Sequence, residues 1–128
     1  AAFDYDRDTG ALTEERTFAT VPDHEAPPDG LTVDAGGFVW SARYGGGEIA
    51  RYRSDGTEER RIALPGAKNI TSLAFGGENY EDLYVTTAGA EDREKNGVSA
   101  GALFRVRVNG VHGLPPYRSR IAVTPPQG

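Results

Sequence analysis

Residues 30–63 read GLTVDAGGFVWSARYGGGEIARYRSDGTEERRIA, and this stretch decides the fold. Apolar, aromatic and β-branched residues alternate with polar ones in runs of about five residues, a pattern typical of half-buried β-strands. Glycine-rich or Asp-Gly segments at residues 45–47 and 54–56 separate the runs. The stretch therefore predicts four short antiparallel strands joined by tight turns.

The same pattern occurs elsewhere in the chain. Residues 49–65 resemble residues 3–22, and residues 71–85 resemble residues 30–40, at a spacing of about 45 residues in both cases. Four strands repeated at about this spacing indicate the blades of a β-propeller, in which each sheet packs against its neighbours. A sandwich of about ten strands is the alternative, but a sandwich does not require a regular repeat.

The prediction for the 128 residues is an all-β, partial β-propeller of about two and a half four-stranded antiparallel blades. It divides the chain into a half blade at 1–22, a blade at 28–65 and a blade at 70–123, with a mobile polar loop inserted at 89–100. The predicted strands are 3–6, 13–19, 30–34, 38–43, 48–53, 58–63, 71–75, 82–87, 102–107 and about 117–123.

Composition excludes several classes of function. Apolar residues make up 38% of the chain, enough for a core, but the net charge is -5 and no basic run is present. We therefore expect no nucleic-acid partner and no membrane partner. The chain has no Cys, which excludes disulfides, thiolate metal sites and thiol nucleophiles. Since the apolar runs are short and no signal-peptide pattern is present, we expect a cytoplasmic protein.

A series of short motifs follows one order along nearly the whole chain. In that order they are Phe3-Asp4-Tyr5-Asp6, Pro28-Asp29-Gly30, Gly37-Phe38-Val39-Trp40, Gly45-Gly46-Gly47, Leu64-Pro65, Phe75-Gly76-Gly77 and Leu83-Tyr84-Val85-Thr86-Thr87. The series resembles the C-terminal half of the gluconolactonase, regucalcin and senescence-marker-protein family. The resemblance implies a six-bladed propeller with a divalent metal at the top of its channel, calcium before zinc, manganese or magnesium. It also implies hydrolysis of a sugar lactone or a related ester.

Asp29 is the main candidate for a functional residue. It lies between Pro28 and Gly30, just before a predicted inner strand. A carboxylate there suits calcium, which prefers oxygen ligands, but an aspartate in a turn also commonly accepts a backbone N–H. The resemblance implies the first role, because a metal-binding Asp of the family maps onto Asp29. It makes Asp29 the catalytic and metal-ligand residue of this chain, and the family's Glu and Asn ligands have no counterpart in it.

Four further residues are weaker candidates for the rim of a pocket. His24 precedes Asp29 by a few residues, Arg43 and Tyr44 precede the glycine-rich turn, and Ser72 begins the second predicted inner strand. A surface loop for His24 and a solvated strand end for Arg43 and Tyr44 are the alternatives.

The expected partners are a small-molecule lactone or ester and either the missing N-terminal half of the propeller or a second copy of the chain. We expect the complete propeller to be a gluconolactonase-like hydrolase and the chain alone to be inactive. The alternative is a non-catalytic half-propeller that binds a partner or associates with itself.

Overall fold

The computed structural model describes residues 1–118, which form β-strands and one short helix. The strands are β1 (Ala2–Tyr5), β2 (Leu12–Arg16), β3 (Pro28–Val33), β4 (Val39–Arg43), β5 (Glu48–Tyr52), β6 (Glu58–Ala63), β7 (Asn69–Gly76), β8 (Asp82–Ala88) and β9 (Leu103–Val106), and the helix is α1 (Arg93–Asn96). No helix among these residues is long and apolar enough to cross a bilayer.

The strands form three antiparallel sheets in which sequence neighbours pair. Sheet 1 contains β1 and β2, sheet 2 contains β3 to β6, and sheet 3 contains β7 to β9. The predicted all-β, partial-propeller architecture is confirmed, because the sheets are built of consecutive up-and-down strands and sheets 2 and 3 pack against each other as propeller blades do. Strand limits differ from the prediction by up to three residues; the strand expected at 13–19 ends at Arg16. Of the last predicted strand, residues 117–118 are not in a strand and 119–123 lie outside the described residues.

The core lies between sheets 2 and 3. Trp40 is fully buried, and its ring packs edge-to-face on Phe75 with the ring centroids 6.2 Å apart. The other buried members of the core come from both sheets and from the connection between them: Ala42, Ile49, Leu64, Ala67, Ile70, Leu73, Leu83 and Val85. Burial of this apolar surface fixes the position of β7 against β3 and β4, and so aligns the ends of these strands.

A buried ion pair closes the turn after β3. The Asp34 carboxylate is 2% exposed and accepts hydrogen bonds from Trp40 Nε1 at 2.9 Å and Arg51 Nε at 3.0 Å. The Arg51 guanidinium also lies over the Phe38 ring, 3.7 Å from its centroid. Burial raises the pKa of Asp34, but the hydrogen bonds from Trp40 and Arg51 outweigh burial, so the pKa lies below its usual range.

The segment 89–100 is fixed to the connection between sheets 2 and 3. The Asp92 side chain accepts a hydrogen bond from the Lys95 N–H and so caps α1. The Asn96 carbonyl accepts from the Lys68 N–H at 2.9 Å, and the Asn96 side chain accepts from Asn69 Nδ2 at 3.1 Å. These hydrogen bonds place the segment against the start of β7, and its mobility stays a prediction.

Candidate functional site

One edge of the stacked sheets carries the candidate residues. β3 begins there beside the end of β4, since Pro28 pairs with Arg43, and β7 begins there beside the end of β8, since Asn69 pairs with Ala88. A β-bridge between Tyr44 and Asn69 joins the two sheets at this edge. We call it the upper edge; it also includes the segment 89–100.

Asp29 lies inside β3, not in a turn before it, so the predicted start of this strand at residue 30 was wrong. Pairing shifts between Pro28 and Leu31, so that Asp29 and Gly30 together face the single residue Ala42. This is a β-bulge, a device that turns a side chain away from the regular alternation of a strand. Asp29 is exposed at the upper edge.

The surroundings of Asp29 differ from those of the buried aspartates. Asp34 pairs with Arg51, and Asp82 pairs with Arg107, whose hydrogen bond lowers the pKa of Asp82. Within residues 1–118, Asp29 has no such arginine partner. Its carboxylate is therefore open to a ligand from outside the described part of the chain.

β7 carries a second bulge at the matching position. Ile70 pairs with Thr87 and Ser72 with Thr86, which leaves Thr71 as the extra residue. The Thr71 and Thr86 hydroxyl oxygens lie 2.8 Å apart, within hydrogen-bond distance. Both inner strands are thus bulged at the upper edge.

Ser72 is the rim candidate that the structure brings beside the Asp29 bulge. A Cβ atom built on Gly30 would lie 2.5 Å from Ser72 Oγ and 2.8 Å from Ser72 Cα. β3 and β7 are therefore in direct main-chain contact one residue away from Asp29. Ser72 is itself exposed at this position.

The other rim candidates differ from one another in burial and in partners. Arg43 is 1% exposed, and its Nη2 lies 3.4 Å from Glu25 Oε2, so the prediction that it reaches a pocket rim was wrong. The guanidinium lies in the interior, where Glu25, distant in sequence, meets one of its nitrogens, and Nε and Nη1 have no hydrogen-bond partner among the described residues. Tyr44 is 45% exposed, and its N–H donates to the Pro27 carbonyl at 3.0 Å. His24 is exposed in the connection between β2 and β3.

A charged cluster missed at the sequence level holds that connection to sheet 2. Glu25 accepts from Arg61 at 2.6 Å, and Arg61 also pairs with Glu58 and Glu48. Glu48 and Arg61 lie on neighbouring strands, so cross-strand pairing could have indicated their contact. No local pattern indicates that Glu25 joins this cluster, because its position depends on the path of the connection between β2 and β3.

The upper edge offers the type of donor atom that a divalent cation binds, but it does not offer enough donors. The exposed carboxylate of Asp29 is a hard oxygen donor of the kind that calcium binds. Calcium takes about six to eight oxygen ligands, and the described residues contain no group of three or more His, Cys, Asp or Glu that could hold a metal. Within this part of the chain, Asp29 can contribute to a metal site but cannot form one.

The comparisons identify the family. A family model described as the SMP-30/Gluconolactonase/LRE-like region matches residues 1–89. The chain belongs to this family. The resemblance recognised from its motifs is therefore confirmed.

Three similar proteins illustrate the relationship. The pentonolactonase XacC of Haloferax volcanii is 44% identical over 124 residues, covering 91% of this chain and 42% of its own. The regucalcin of Danio rerio is 41% identical over 121 residues, with 91% and 40% covered. A crystal structure of a calcium-binding regucalcin from Agrobacterium tumefaciens has a TM-score of 0.75 at 32% identity, with 91% of this chain and 41% of that one covered. The chain thus spans about two fifths of the length of these relatives.

Proposed function

We propose that this chain supplies one metal-ligand carboxylate, Asp29, to a propeller that hydrolyses a sugar lactone or a related ester. The observation that carries the proposal is the exposed Asp29 on a bulged inner strand, without an arginine partner in the described residues. The pentonolactonase relative supports a lactone as the substrate class. The calcium-binding regucalcin supports a divalent cation, calcium before zinc, manganese or magnesium.

The chemistry requires water to be added across the ring ester bond. The acyl carbon–oxygen bond breaks, the carbonyl carbon takes the hydroxide and the ring oxygen takes the proton, so that the product is an open hydroxy acid. A divalent cation bound at the site would supply Lewis acidity toward the carbonyl oxygen. Asp29 would hold the cation through its carboxylate, whose remaining lone pairs can accept a hydrogen bond from water and orient it.

The proposal includes further strands from the rest of the propeller. Sheet 1 has two strands where sheet 2 has four. Leu31 and Val33 of sheet 2 are 65% and 47% exposed, which is unusual for large apolar residues on an inner strand. Further strands beside sheet 1 would cover them and bring the remaining metal ligands. We accordingly propose that the 128-residue chain alone is inactive and binds calcium weakly.

The test compares two aspartates in the complete propeller that carries this segment. Asp29→Asn keeps the shape of the side chain and removes its charge, and Asp23→Asn does the same at an exposed position in the connection before β3. We expect Asp29→Asn to lower the rate of pentonolactone hydrolysis by about 100-fold or more, since loss of a metal ligand removes the Lewis acid. Asp23→Asn should hydrolyse the lactone at the same rate as the parent protein, and a chelator should abolish the activity of both. Full activity of Asp29→Asn would contradict the proposal.

A non-catalytic half-propeller that binds a partner or associates with itself is the second candidate. Leu31 and Val33, 65% and 47% exposed on the same face of β3, favour it because neighbouring exposed apolar side chains mark interaction sites. This function predicts a defined complex or dimer of the 128-residue chain in the absence of metal. Light scattering that gives a monomer at all concentrations would argue against self-association.

A further inference from the structure

Backbone conformation does not explain why residue 30 is a glycine. Its φ lies outside the left-handed region that favours glycine, so any residue could adopt it. The space around it is what requires glycine. A Cβ atom there would lie 2.5 Å from Ser72 Oγ and 2.8 Å from both Cα and Cβ of Ser72.

These contacts could not be relieved by side-chain rotation alone. A serine hydroxyl can turn away, but Cα is part of the β7 backbone and Cβ is fixed to it. Protein interiors are packed densely enough that such an overlap moves backbone. A side chain at Gly30 would therefore push β3 and β7 apart at the upper edge, where Asp29 is the next residue in the same bulge.

We propose that the contact between Gly30 and Ser72 sets the position of the Asp29 carboxylate, which makes Gly30 a positioning residue for the metal-binding edge. The inference rests on the proposed function of Asp29. A metal ligand must be held within a few tenths of an ångström, so a small separation of the two strands is enough to weaken the site. Ser72 takes part through its backbone and Cβ, not through its hydroxyl.

The chain offers a matched control in Gly113. Its φ also lies outside the left-handed region, and a Cβ there would overlap with the Cβ of Phe75. Phe75 lies three residues after Ser72, next to the last residue of β7. Gly113→Ala therefore introduces a comparable overlap on the same strand, away from Asp29.

The experiment measures calcium affinity by titration calorimetry in the complete propeller that carries this segment, with the thermal midpoint recorded for each variant. Gly30→Ala should weaken calcium binding by about 10- to 100-fold, the range typical of residues that support metal ligands.

Ser72→Ala should bind calcium as the parent does, because it keeps Cβ. The double variant Gly30→Ala with Ser72→Gly should bind more tightly than Gly30→Ala, because two of the three overlapping atoms are removed. Gly113→Ala should lower the thermal midpoint and leave the affinity unchanged.

Parent-like affinity of Gly30→Ala would overturn the inference, as would an equal loss of affinity in Gly113→Ala, which would indicate a general effect of destabilisation. If Gly30→Ala does not fold, the double variant is compared with Ser72→Gly alone. The overlap with Cα of residue 72 remains in the double variant, so it should bind calcium more weakly, and equal affinities of the two would overturn the inference. Asp29→Asn separates the two proposals. If it binds calcium normally, the proposed function fails; if it loses calcium while Gly30→Ala does not, only the positioning role fails.

Discussion

Two aspartates at opposite ends of β3 show how one residue type serves two purposes. Asp34, after the strand, is 2% exposed and is held by hydrogen bonds from Trp40 and Arg51. Asp29, near the start of the strand, is exposed on a bulge and has no arginine partner in the described residues. The aspartate with the most hydrogen bonds in the core is therefore not the one most available for chemistry.

Asp34→Ala should have the largest effect on stability. It would leave the buried Arg51 and Trp40 Nε1 without their shared acceptor, and because Arg51 keeps Glu59 as a charge partner we expect a cost of about 3 kcal/mol, the lower end for a broken buried pair. Urea denaturation would measure the loss. A free energy of unfolding within about 0.5 kcal/mol of the parent, the range of ordinary surface changes, would mean that the network does not stabilise the fold.

The pH dependence of stability should follow Asp34 as well. Its pKa lies below the usual range in the folded state, so its contribution is complete above the unfolded pKa of about 3.9 and is lost as the pH falls through the folded pKa. We therefore expect the parent to lose stability more steeply than Asp34→Ala below about pH 4. Thermal midpoints at a series of pH values would check this, and parallel curves for the two proteins would contradict it.

Trp40→Phe should have an intermediate effect. It removes the Nε1–H donor to Asp34 while keeping an aromatic ring near Phe75. A lost hydrogen bond to a charged group, with some loss of packing, should cost about 2 kcal/mol. The same denaturation measurement applies. A cost equal to that of Asp34→Ala would indicate that Trp40 contributes more than one hydrogen bond to the network.

Asp29→Asn should have the smallest effect on stability without metal. An exposed carboxylate without an arginine partner should change the free energy of unfolding by about 0.5 kcal/mol or less. Calorimetric unfolding in chelator would test this. A loss comparable to that of Asp34→Ala would show that Asp29 has a structural role, and the contrast between the two ends of β3 would disappear.

Much of the fold could be predicted from local sequence. Asp-Gly and glycine-rich turns, such as residues 54–56, punctuate alternating runs, and a β-hairpin depends mainly on such local signals. The antiparallel sheets and the core position of Trp40 follow from that pattern.

The site was less predictable, because its features depend on contacts between distant residues. The bulge at Asp29 and Gly30 depends on the register with β4 and on the approach of Ser72, which no local pattern encodes. Arg43 is buried, and Glu25, far away in sequence, lies against it. Propensity and periodicity describe neighbours along the chain, so they could name Asp29 as a candidate but could not describe its surroundings.

The most direct test of the role of Asp29 is the shift of the thermal midpoint when calcium is added to the complete propeller that carries this segment. A ligand that binds only the folded state stabilises it, by about 2.7 kcal/mol at 100 times its dissociation constant. The parent and Asp23→Asn should therefore show a clear upward shift, and Asp29→Asn should show little or none at the same calcium concentration. An equal shift in Asp29→Asn and the parent would show that calcium binds without this carboxylate, and would contradict the proposed role of Asp29.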